Sequence, residues 1–244
     1  MAETEKLLMS VRNLKKHYPI GSNFFKSKNE YVKAVDGIDL DLYSGKTLGL
    51  VGESGCGKST FGKCIIRAIE PTAGEIKVYL DKEYSIREMR KNEFRTFRKN
   101  LQMIFQDPNS SLDPRMTIRD IISEPIKANS TIGKTQIEEK VRYLMDIVGL
   151  NPNQLYRYPH AFSGGQRQRI GIARALASDA KIIICDEAVS ALDVSVQAQI
   201  INLLKDLQEK FNLTLLFISH DLGVVEHLSD SCLFYTSPSP RDGT

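Results

Sequence analysis

Residues 47–59 read TLGLVGESGCGKS, a short apolar run followed by a segment that contains three glycines and ends in lysine and serine. The segment from Gly52 to Ser59 fits the pattern G-x-x-x-x-G-K-[ST], in which glycines let successive backbone N–H groups point into one concavity. Lys58–Glu70 then has helical spacing and stops before Pro71. Because the N-terminus of such a helix also favours anions, the stretch predicts a strand, a phosphate-binding loop and a helix.

Two side chains of this loop have predicted tasks of their own. Lys58 can reach the outer phosphates, and the Ser59 hydroxyl can ligate Mg²⁺. The alternative is a glycine-rich structural turn that binds no ligand. The loop residues predicted to hold the phosphates are Gly52, Glu53, Ser54, Gly55, Cys56, Gly57, Lys58, Ser59 and Thr60.

Outside this loop the chain alternates apolar runs with helical segments. Lys181–Cys185 and Leu213–Ile218 are continuous apolar runs, typical of strands that are buried on both faces of a parallel sheet. Gln166–Ala177 and Val194–Lys210 have helical spacing. Residues 1–51 contain short apolar runs separated by glycines, which favour strands and turns. The sequence therefore predicts an α/β fold with a parallel sheet.

Three further segments carry separate predictions. Helical periodicity interrupted by prolines in residues 109–160 indicates a small helical insert, and the polar stretch Gly21–Asn29 indicates a loop. Lys82–Lys99 is rich in basic residues and is predicted to be helical. Its charge is compatible with nucleic-acid binding or with a solvated helix face. We favour the solvated face, because Glu83, Glu88 and Glu93 lie between the basic residues.

Composition excludes several classes of protein. The 244 residues include 33 basic and 30 acidic side chains, and a net charge of +3 is too small to argue for nucleic acid. The four cysteines form no CxxC pair, which excludes a zinc site or a disulfide framework. The first 16 residues lack the apolar run of a signal peptide, and no stretch approaches the ~18 apolar residues of a membrane helix. We expect a soluble protein of a reducing compartment that works at a membrane only through a partner.

Two adjacent carboxylates follow the apolar run at Lys181–Cys185. Side chains at adjacent positions of an extended chain point in different directions. Asp186 can therefore face Mg²⁺ while Glu187 faces the γ-phosphate, where it would orient or polarise the attacking water. An ordinary acidic loop after a strand is the alternative.

Residues 162–169 (FSGGQRQR) closely resemble the signature motif of ABC ATPases. In that family this surface contacts ATP held by the phosphate loop of a second subunit, which implies that role for Ser163, Gly164, Gly165 and Gln166. Gln106 matches the family's Q-loop, and its implied role is to sense Mg²⁺ and the attacking water. His220 matches the switch histidine, implied to bond the γ-phosphate. Four consecutive residues match the family's D-loop: Ser190, Ala191, Leu192 and Asp193. The resemblance also implies that the metal ligands are Ser59, Gln106 and Asp186.

Finer features resemble the F-type ATP-binding subunit of oligopeptide and dipeptide importers, over about residues 7–232. They include KKHYPI (15–20), FQDPNSSLDPRMTI (105–118) and RYPHAFSGGQRQRIGIARAL (157–176). Tyr18 lies where the family places an aromatic residue that stacks on adenine, with Tyr31 as the alternative and a plain structural tyrosine as the third possibility. Such stacking is worth roughly 1–3 kcal/mol in single-strand nucleic-acid binders.

The resemblance also implies an architecture and partners. The fold would be a P-loop NTPase (RecA-like) parallel sheet core with an N-terminal antiparallel β subdomain and an inserted α-helical subdomain at about residues 107–167. The nucleotide-binding domain would span residues 1–235. The implied ligands are ATP and Mg²⁺. The implied partners are a second ABC ATPase subunit, two transmembrane permeases and, indirectly, a solute-binding protein, at the cytoplasmic face of the cell membrane.

The sequence departs from the ABC ATPase pattern at two places. Ala188 replaces the proline that usually follows the glutamate in the family. Residues 236–244 (TSPSPRDGT) have no core pattern, so we expect a disordered, non-native tail after a truncated C-terminus.

Two other functions are alternatives to the transporter. A soluble ABC protein of DNA repair or translation would carry a long coiled-coil insert or two cassettes. A P-loop kinase of small molecules would need a lid and would lack the signature segment.

Overall fold

The computed structural model describes residues 5–20 and 31–235, apart from the side chain of Asn109. The predicted loop at Gly21–Asn29 and the predicted tail at residues 236–244 lie outside the described residues. Within the described ranges, no helix combines the length and the apolar character needed to cross a bilayer.

The described strands form two sheets. The first is a four-stranded antiparallel sheet with the order β2-β1-β4-β5, and the second is a five-stranded parallel sheet with the order β6-β7-β8-β3-β9. The strands are β1 (Leu7–Pro19), β2 (Tyr31–Tyr43), β3 (Thr47–Val51), β4 (Ala73–Tyr79), β5 (Glu83–Ser85), β6 (Leu101–Ile104), β7 (Ile182–Asp186), β8 (Thr214–Ser219) and β9 (Ser231–Phe234).

The helices fall into two groups. In the described part of the chain, one group of four helices lies between β6 and β7, the stretch that contains the predicted helical insert, and each of the other four lies between another pair of consecutive strands. The helices are α1 (Lys58–Ile65), α2 (Lys91–Phe97), α3 (Pro108–Ser111), α4 (Ile118–Asn129), α5 (Lys134–Ile147), α6 (Gly164–Leu176), α7 (Val194–Phe211) and α8 (Leu222–Leu228), with short 3-10 turns at Arg98–Asn100, Pro152–Gln154 and Pro159–Ala161.

The parallel sheet is buried on both faces, as the continuous apolar runs predict. Side chains alternate between two cores along β7: Ile183 and Cys185 pack with the helices between β6 and β7, whereas Ile182 and Ile184 pack with α1 and the antiparallel sheet. The central strands therefore separate one core from the other. This arrangement fixes the carboxyl ends of β3, β7 and β8 at one edge.

Two sequence predictions of helix are corrected by the structure. Lys82–Lys99 is not one helix, because Glu83–Ser85 pairs with β4 as an edge strand and only Lys91–Phe97 is α-helical. The ring of Tyr84 packs 4.9 Å from that of Phe97, which folds the strand back over the helix. The helix predicted over Lys58–Glu70 ends at Ile65, because the chain turns at Arg67, whose φ is 48°.

Candidate active site at the carboxyl edge of the parallel sheet

The predicted site residues converge because the strands that precede them are parallel. Gly52 follows β3, Asp186 ends β7, His220 follows β8, and Gln106 comes two residues after β6. Parallel strands share one carboxyl edge, and loops at that edge form the usual ligand crevice of open α/β sheets. The arrangement brings together residues that are up to 168 positions apart, from Gly52 to His220.

The phosphate loop connects β3 to α1, as its sequence predicts. Gly57 has φ 108° and directly precedes α1, and a Cβ on it would lie 1.8 Å from the carbonyl oxygen of Ala34. Gly55 has φ 81° and faces open space. Both conformations favour glycine. The backbone N–H groups of Gly55, Gly57 and Lys58 find no acceptor in the described part of the chain, so they are available to an anion.

Lys58 bonds to the loop that carries it. Its Nζ donates to the carbonyl oxygens of Gly52 and Glu53, at 2.7 Å each, and the side chain is buried. The ammonium group thus already lies inside the curl of the loop. A phosphate entering the loop would offer it charged acceptors, which bond more strongly than neutral carbonyls.

Ser59 and Asp186, two of the three residues predicted to bind the metal, are bonded to each other. The hydroxyl of Ser59 donates to Oδ1 of Asp186 over 2.7 Å, and Asp186 is 2 % exposed. Burial raises the pKa of Asp186, and the hydrogen bond from Ser59 opposes that shift. A buried carboxylate of this kind gains from a cation, and hydroxyl, carboxylate and amide oxygens are hard ligands that suit Mg²⁺. The residues present therefore fit that ion.

The other two predicted catalytic side chains, those of Gln106 and His220, both approach the carboxylate of Glu187. Nε2 of Gln106 donates to Oε2 of Glu187 over 2.8 Å, and Nδ1 of His220 lies 3.5 Å from the same oxygen. The Glu187 side chain is 12 % exposed, whereas that of His220 is 52 % exposed. The carboxylate thus sits at the boundary between the protein and the solvent, where a water molecule can reach it.

The signature segment begins α6. Ser163 caps the helix by accepting from the N–H of Gln166 at 3.3 Å, and the Gln166 side chain accepts from the N–H of Ser163 at 3.0 Å. The N–H groups of Gly164 and Gly165 find no acceptor in the chain as described. No described hydrogen bond links this segment to the phosphate loop. The described hydrogen bonds of the Ser163 and Gln166 side chains therefore stay within this turn.

The D-loop connects Glu187 to α7. Ser190 bonds to the carbonyl oxygen of Glu187, Ala191 and Asp193 are exposed, and Leu192 is partly buried against the core. Asp193 directly precedes α7. Sequence reasoning missed Val196 on this helix: its Cγ1 lies 2.5 Å from where a Cβ on Gly165 would be, so it supports the signature segment. Nothing local in the sequence identifies that contact.

Tyr18 and Tyr31 lie on neighbouring strands but on opposite faces. Tyr18 pairs with Val32 and Tyr31 pairs with Pro19, which is the next pair along the ladder. Successive side chains of a strand alternate between faces. Tyr18 is 37 % exposed, with Nζ of Lys16 4.9 Å from its ring centroid, and Tyr31 is 49 % exposed. No contact of either ring with the phosphate loop is described, so the choice between them stays a prediction.

Comparisons with known proteins show the family to which this chain is similar. The family described as ABC transporter matches residues 35–190. The oligopeptide transport ATP-binding protein AppF of Bacillus subtilis (strain 168) is 54 % identical over 230 residues, which are 94 % of this chain and 69 % of AppF. The corresponding protein OppF of Escherichia coli (strain K12) is 51 % identical over 236 residues, 96 % of this chain and 70 % of OppF.

A solved structure shares the fold. The ATP-binding cassette MJ0796, a dimer bound to ADP and Pi in a post-hydrolysis state, matches with a TM-score of 0.79 at 26 % identity, covering 94 % of this chain and 95 % of that one. It confirms the predicted α/β cassette, with an antiparallel β subdomain beside a parallel sheet. A family match over residues 35–190 and relatives that are more than half identical lead to one conclusion: this chain belongs to the ABC transporter family, as an ATP-binding cassette.

Proposed function

We propose that this chain hydrolyses ATP to energise the import of oligopeptides through partner permeases. The proposal that the chain hydrolyses ATP rests on one observation. Gln106 and His220 both approach one oxygen of Glu187, at the sheet edge where the phosphate loop begins. The peptide part is supported by the relatives AppF and OppF, both named for oligopeptide transport.

Hydrolysis uses this chain's own groups in separate roles. The amides of the phosphate loop and Lys58 hold the phosphates and neutralise their charge. A water molecule attacks the γ-phosphorus, its proton passes to the carboxylate of Glu187, and the bond from the γ-phosphorus to the β–γ bridging oxygen breaks to release ADP. Gln106 and His220 hold Glu187 and the water in line. Tyr18 stacks on the adenine.

Mg²⁺ would be held by Ser59, Asp186 and Gln106, whose hydroxyl, carboxylate and amide oxygens suit this ion. When bound, the ion neutralises charge on the phosphates. The chain's contribution would be three oxygen ligands from separate segments at the carboxyl edge of the sheet. The hydrogen bond between Ser59 and Asp186 already brings two of them together.

The signature segment completes the site of a second subunit. Ser163, Gly164 and Gly165 offer a hydroxyl and free amides at a helix N-terminus, which is a favourable place for a phosphate. No hydrogen bond joins them to the phosphate loop in the described part of their own chain. Two cassettes arranged head to tail would therefore enclose two ATP molecules. The dimeric state of MJ0796 supports this arrangement.

A groove beside Gln106 suits a permease. Its volume is about 660 Å³, and its lining includes the apolar side chains of Leu101, Met103 and Phe105 and residues of α4. Four basic side chains and one acidic side chain line it, so an incoming segment with acidic groups would be favoured. Burial lowers the pKa of Arg174, one of those basic residues, so an acidic partner would stabilise its charge. Docking here would hold the chain at the cytoplasmic face of the membrane.

The direct test is reconstitution of transport. Vesicles would carry the permeases encoded beside this chain, with the chain outside and the solute-binding protein supplied on the opposite side. We expect uptake of labelled oligopeptides that requires ATP and is lost with Glu187→Gln. ATP hydrolysis that no peptide stimulates, together with uptake of a non-peptide solute, would contradict the peptide assignment and leave the ATPase assignment intact.

A further inference from the structure

Glu187 has an unusual backbone for a residue of its type. Its φ is 45°, in the left-handed region that disfavours side chains with a Cβ. Five non-glycine residues of the described chain have positive φ, and three of them are Asn or Asp, which tolerate it best. Glu187 has no such local advantage. Something outside the residue must therefore hold the conformation.

Three hydrogen bonds fix this backbone. The N–H of Glu187 donates to the carbonyl oxygen of Ile218 in β8 over 2.9 Å. Its own carbonyl oxygen accepts twice from Ser190, from the backbone N–H at 3.1 Å and from the hydroxyl at 3.0 Å. The sheet thus holds one side of the peptide, and a single residue of the D-loop holds the other.

The left-handed turn decides where the carboxylate points. β7 ends at Asp186, and the turn at Glu187 directs its side chain to Gln106 and His220. An extended backbone at this position would direct the side chain elsewhere, because the φ angle sets the direction of the Cα–Cβ bond relative to the strand. The position of the carboxylate therefore depends on bonds to the backbone as well as on bonds to its own oxygens.

We propose that Ser190 is a positioning residue for hydrolysis, which acts by fixing the backbone of Glu187 through its hydroxyl. The inference rests on the proposed role of Glu187 as the group that accepts the proton. Ser190 begins the D-loop, and the next residue, Ala191, is exposed. A second subunit that contacts the D-loop could therefore shift Ser190. Such a shift would change the backbone, and with it the carboxylate position, of Glu187.

The experiment compares three serine variants in the purified full chain with ATP and Mg²⁺. Ser190→Ala removes the hydroxyl bond and keeps the backbone bond, and Ser190→Thr keeps both. Ser123→Ala is the matched control, because the hydroxyl of Ser123 also donates to a carbonyl three residues earlier, that of Asp120, at 3.2 Å in the buried part of α4. Steady-state kcat and KM for ATP, melting temperature and ATP-dependent dimerisation are measured for each variant.

We expect Ser190→Ala to lower kcat about threefold to tenfold, the usual effect of losing one neutral hydrogen bond, with KM for ATP unchanged. Ser190→Thr and Ser123→Ala should keep the wild-type kcat. In a Glu187→Gln background, where ATP is trapped, Ser190→Ala should leave ATP-dependent dimerisation as it is. That result would place the effect on Glu187 and not on the subunit interface.

Three outcomes would overturn the proposal: wild-type kcat in Ser190→Ala, an equal loss in Ser190→Thr, or loss of dimerisation in the double variant. Failure of the proposed function has a different signature, since Glu187→Gln alone would then retain turnover. The five variants, measured beside the wild type, together separate the two conclusions.

Discussion

The two surfaces of this chain that would hold phosphates are built differently. At the carboxyl edge of the parallel sheet, side chains from separate loops bond to one another, as Ser59 does with Asp186 and Gln106 does with Glu187. At the start of α6, the side chains of Ser163 and Gln166 bond only within their own turn. Among the described residues, the first surface is a connected network, and the second is a helix end whose side-chain bonds stay within one turn.

This difference assigns separate tasks to the two surfaces. A network that joins distant loops can change when a nucleotide enters, because each bond competes with the ligand. A capped helix end, supported from behind by Val196, changes little and offers its free amides to whatever approaches. The comparison indicates that chemistry belongs to the first surface and recognition across a dimer to the second.

The largest effect should come from the network surface. Glu187→Gln keeps the size of the side chain but cannot accept the proton, so ATP turnover should fall about 10²–10⁴-fold while ATP binding is kept. The measurement is steady-state phosphate release together with a nucleotide-binding titration. Glu209→Gln, a change at an exposed position of α7, is the control. Retention of more than about a tenth of wild-type turnover would contradict the assignment of Glu187 as general base.

Lys58→Ala should act one step earlier, on binding itself. The variant removes the ammonium group that lies inside the phosphate loop, and bonds to charged groups are worth about 1.5–3 kcal/mol each, so the Kd for ATP should rise roughly a hundredfold. Calorimetric titration of the chain with ATP measures this. Lys181→Ala, which changes an exposed lysine before β7, should bind ATP like the wild type. Equal affinity of Lys58→Ala and wild type would refute the phosphate-loop assignment.

Ser163→Arg tests the recognition surface. A bulky cation at the start of α6 would fill the space offered to the other subunit's γ-phosphate, so turnover should fall at least about tenfold while each monomer still binds ATP. Thr117→Arg removes the corresponding cap of α4 and adds the same charge, and it should leave turnover nearly unchanged.

Mixing the Ser163→Arg and Lys58→Ala proteins sharpens the same test. A mixed dimer retains one composite site in which the phosphate loop and the signature segment are both intact, so part of the activity should return. Full activity of Ser163→Arg alone would show that the signature segment does not act across a dimer.

The same contrast explains what the sequence could predict. The phosphate loop, the buried strands β7 and β8 and the start of α6 depend on local patterns, and each of these strands and this helix begins within two residues of its predicted position. The strand at Glu83–Ser85 was predicted as helix, because its conformation depends on pairing with β4 and not on its own residues. The segment Lys91–Phe97 alone keeps the predicted helix.

Contacts within the site follow the same rule. The spacing of Asp186 and Glu187 after an apolar run predicts two carboxylates at a sheet edge. The bond between Gln106 and Glu187 joins residues 81 positions apart, so nothing in the residues alone predicts it. Gln106 was identified only through the resemblance to ABC ATPases, and the contact of Val196 with Gly165 was not identified at all.

The smallest effect on ATP binding should come from Tyr18, the residue predicted to stack on adenine, which belongs to neither of the two phosphate-binding surfaces. Tyr18 and Tyr31 face opposite sides of the β1–β2 ladder, so one adenine can stack on only one of them. Lys16, whose Nζ also donates to the carbonyl oxygen of Glu70 beyond α1, lies over the Tyr18 ring and orients it to that side. Stacking of about 1–3 kcal/mol predicts that Tyr18→Ala raises the Kd for ATP roughly tenfold.

Tyr31→Ala is the matched control for Tyr18→Ala, because it also removes an exposed tyrosine ring, from the other side of the same ladder. It should leave the Kd for ATP unchanged. Inorganic tripolyphosphate, which has no base, should bind both variants like the wild type, since the phosphate loop is intact in each. A rise in Kd for Tyr31→Ala with none for Tyr18→Ala would move the adenine to the opposite face. A loss of tripolyphosphate binding in Tyr18→Ala would mean that the ring supports the phosphate loop and does not stack on the base.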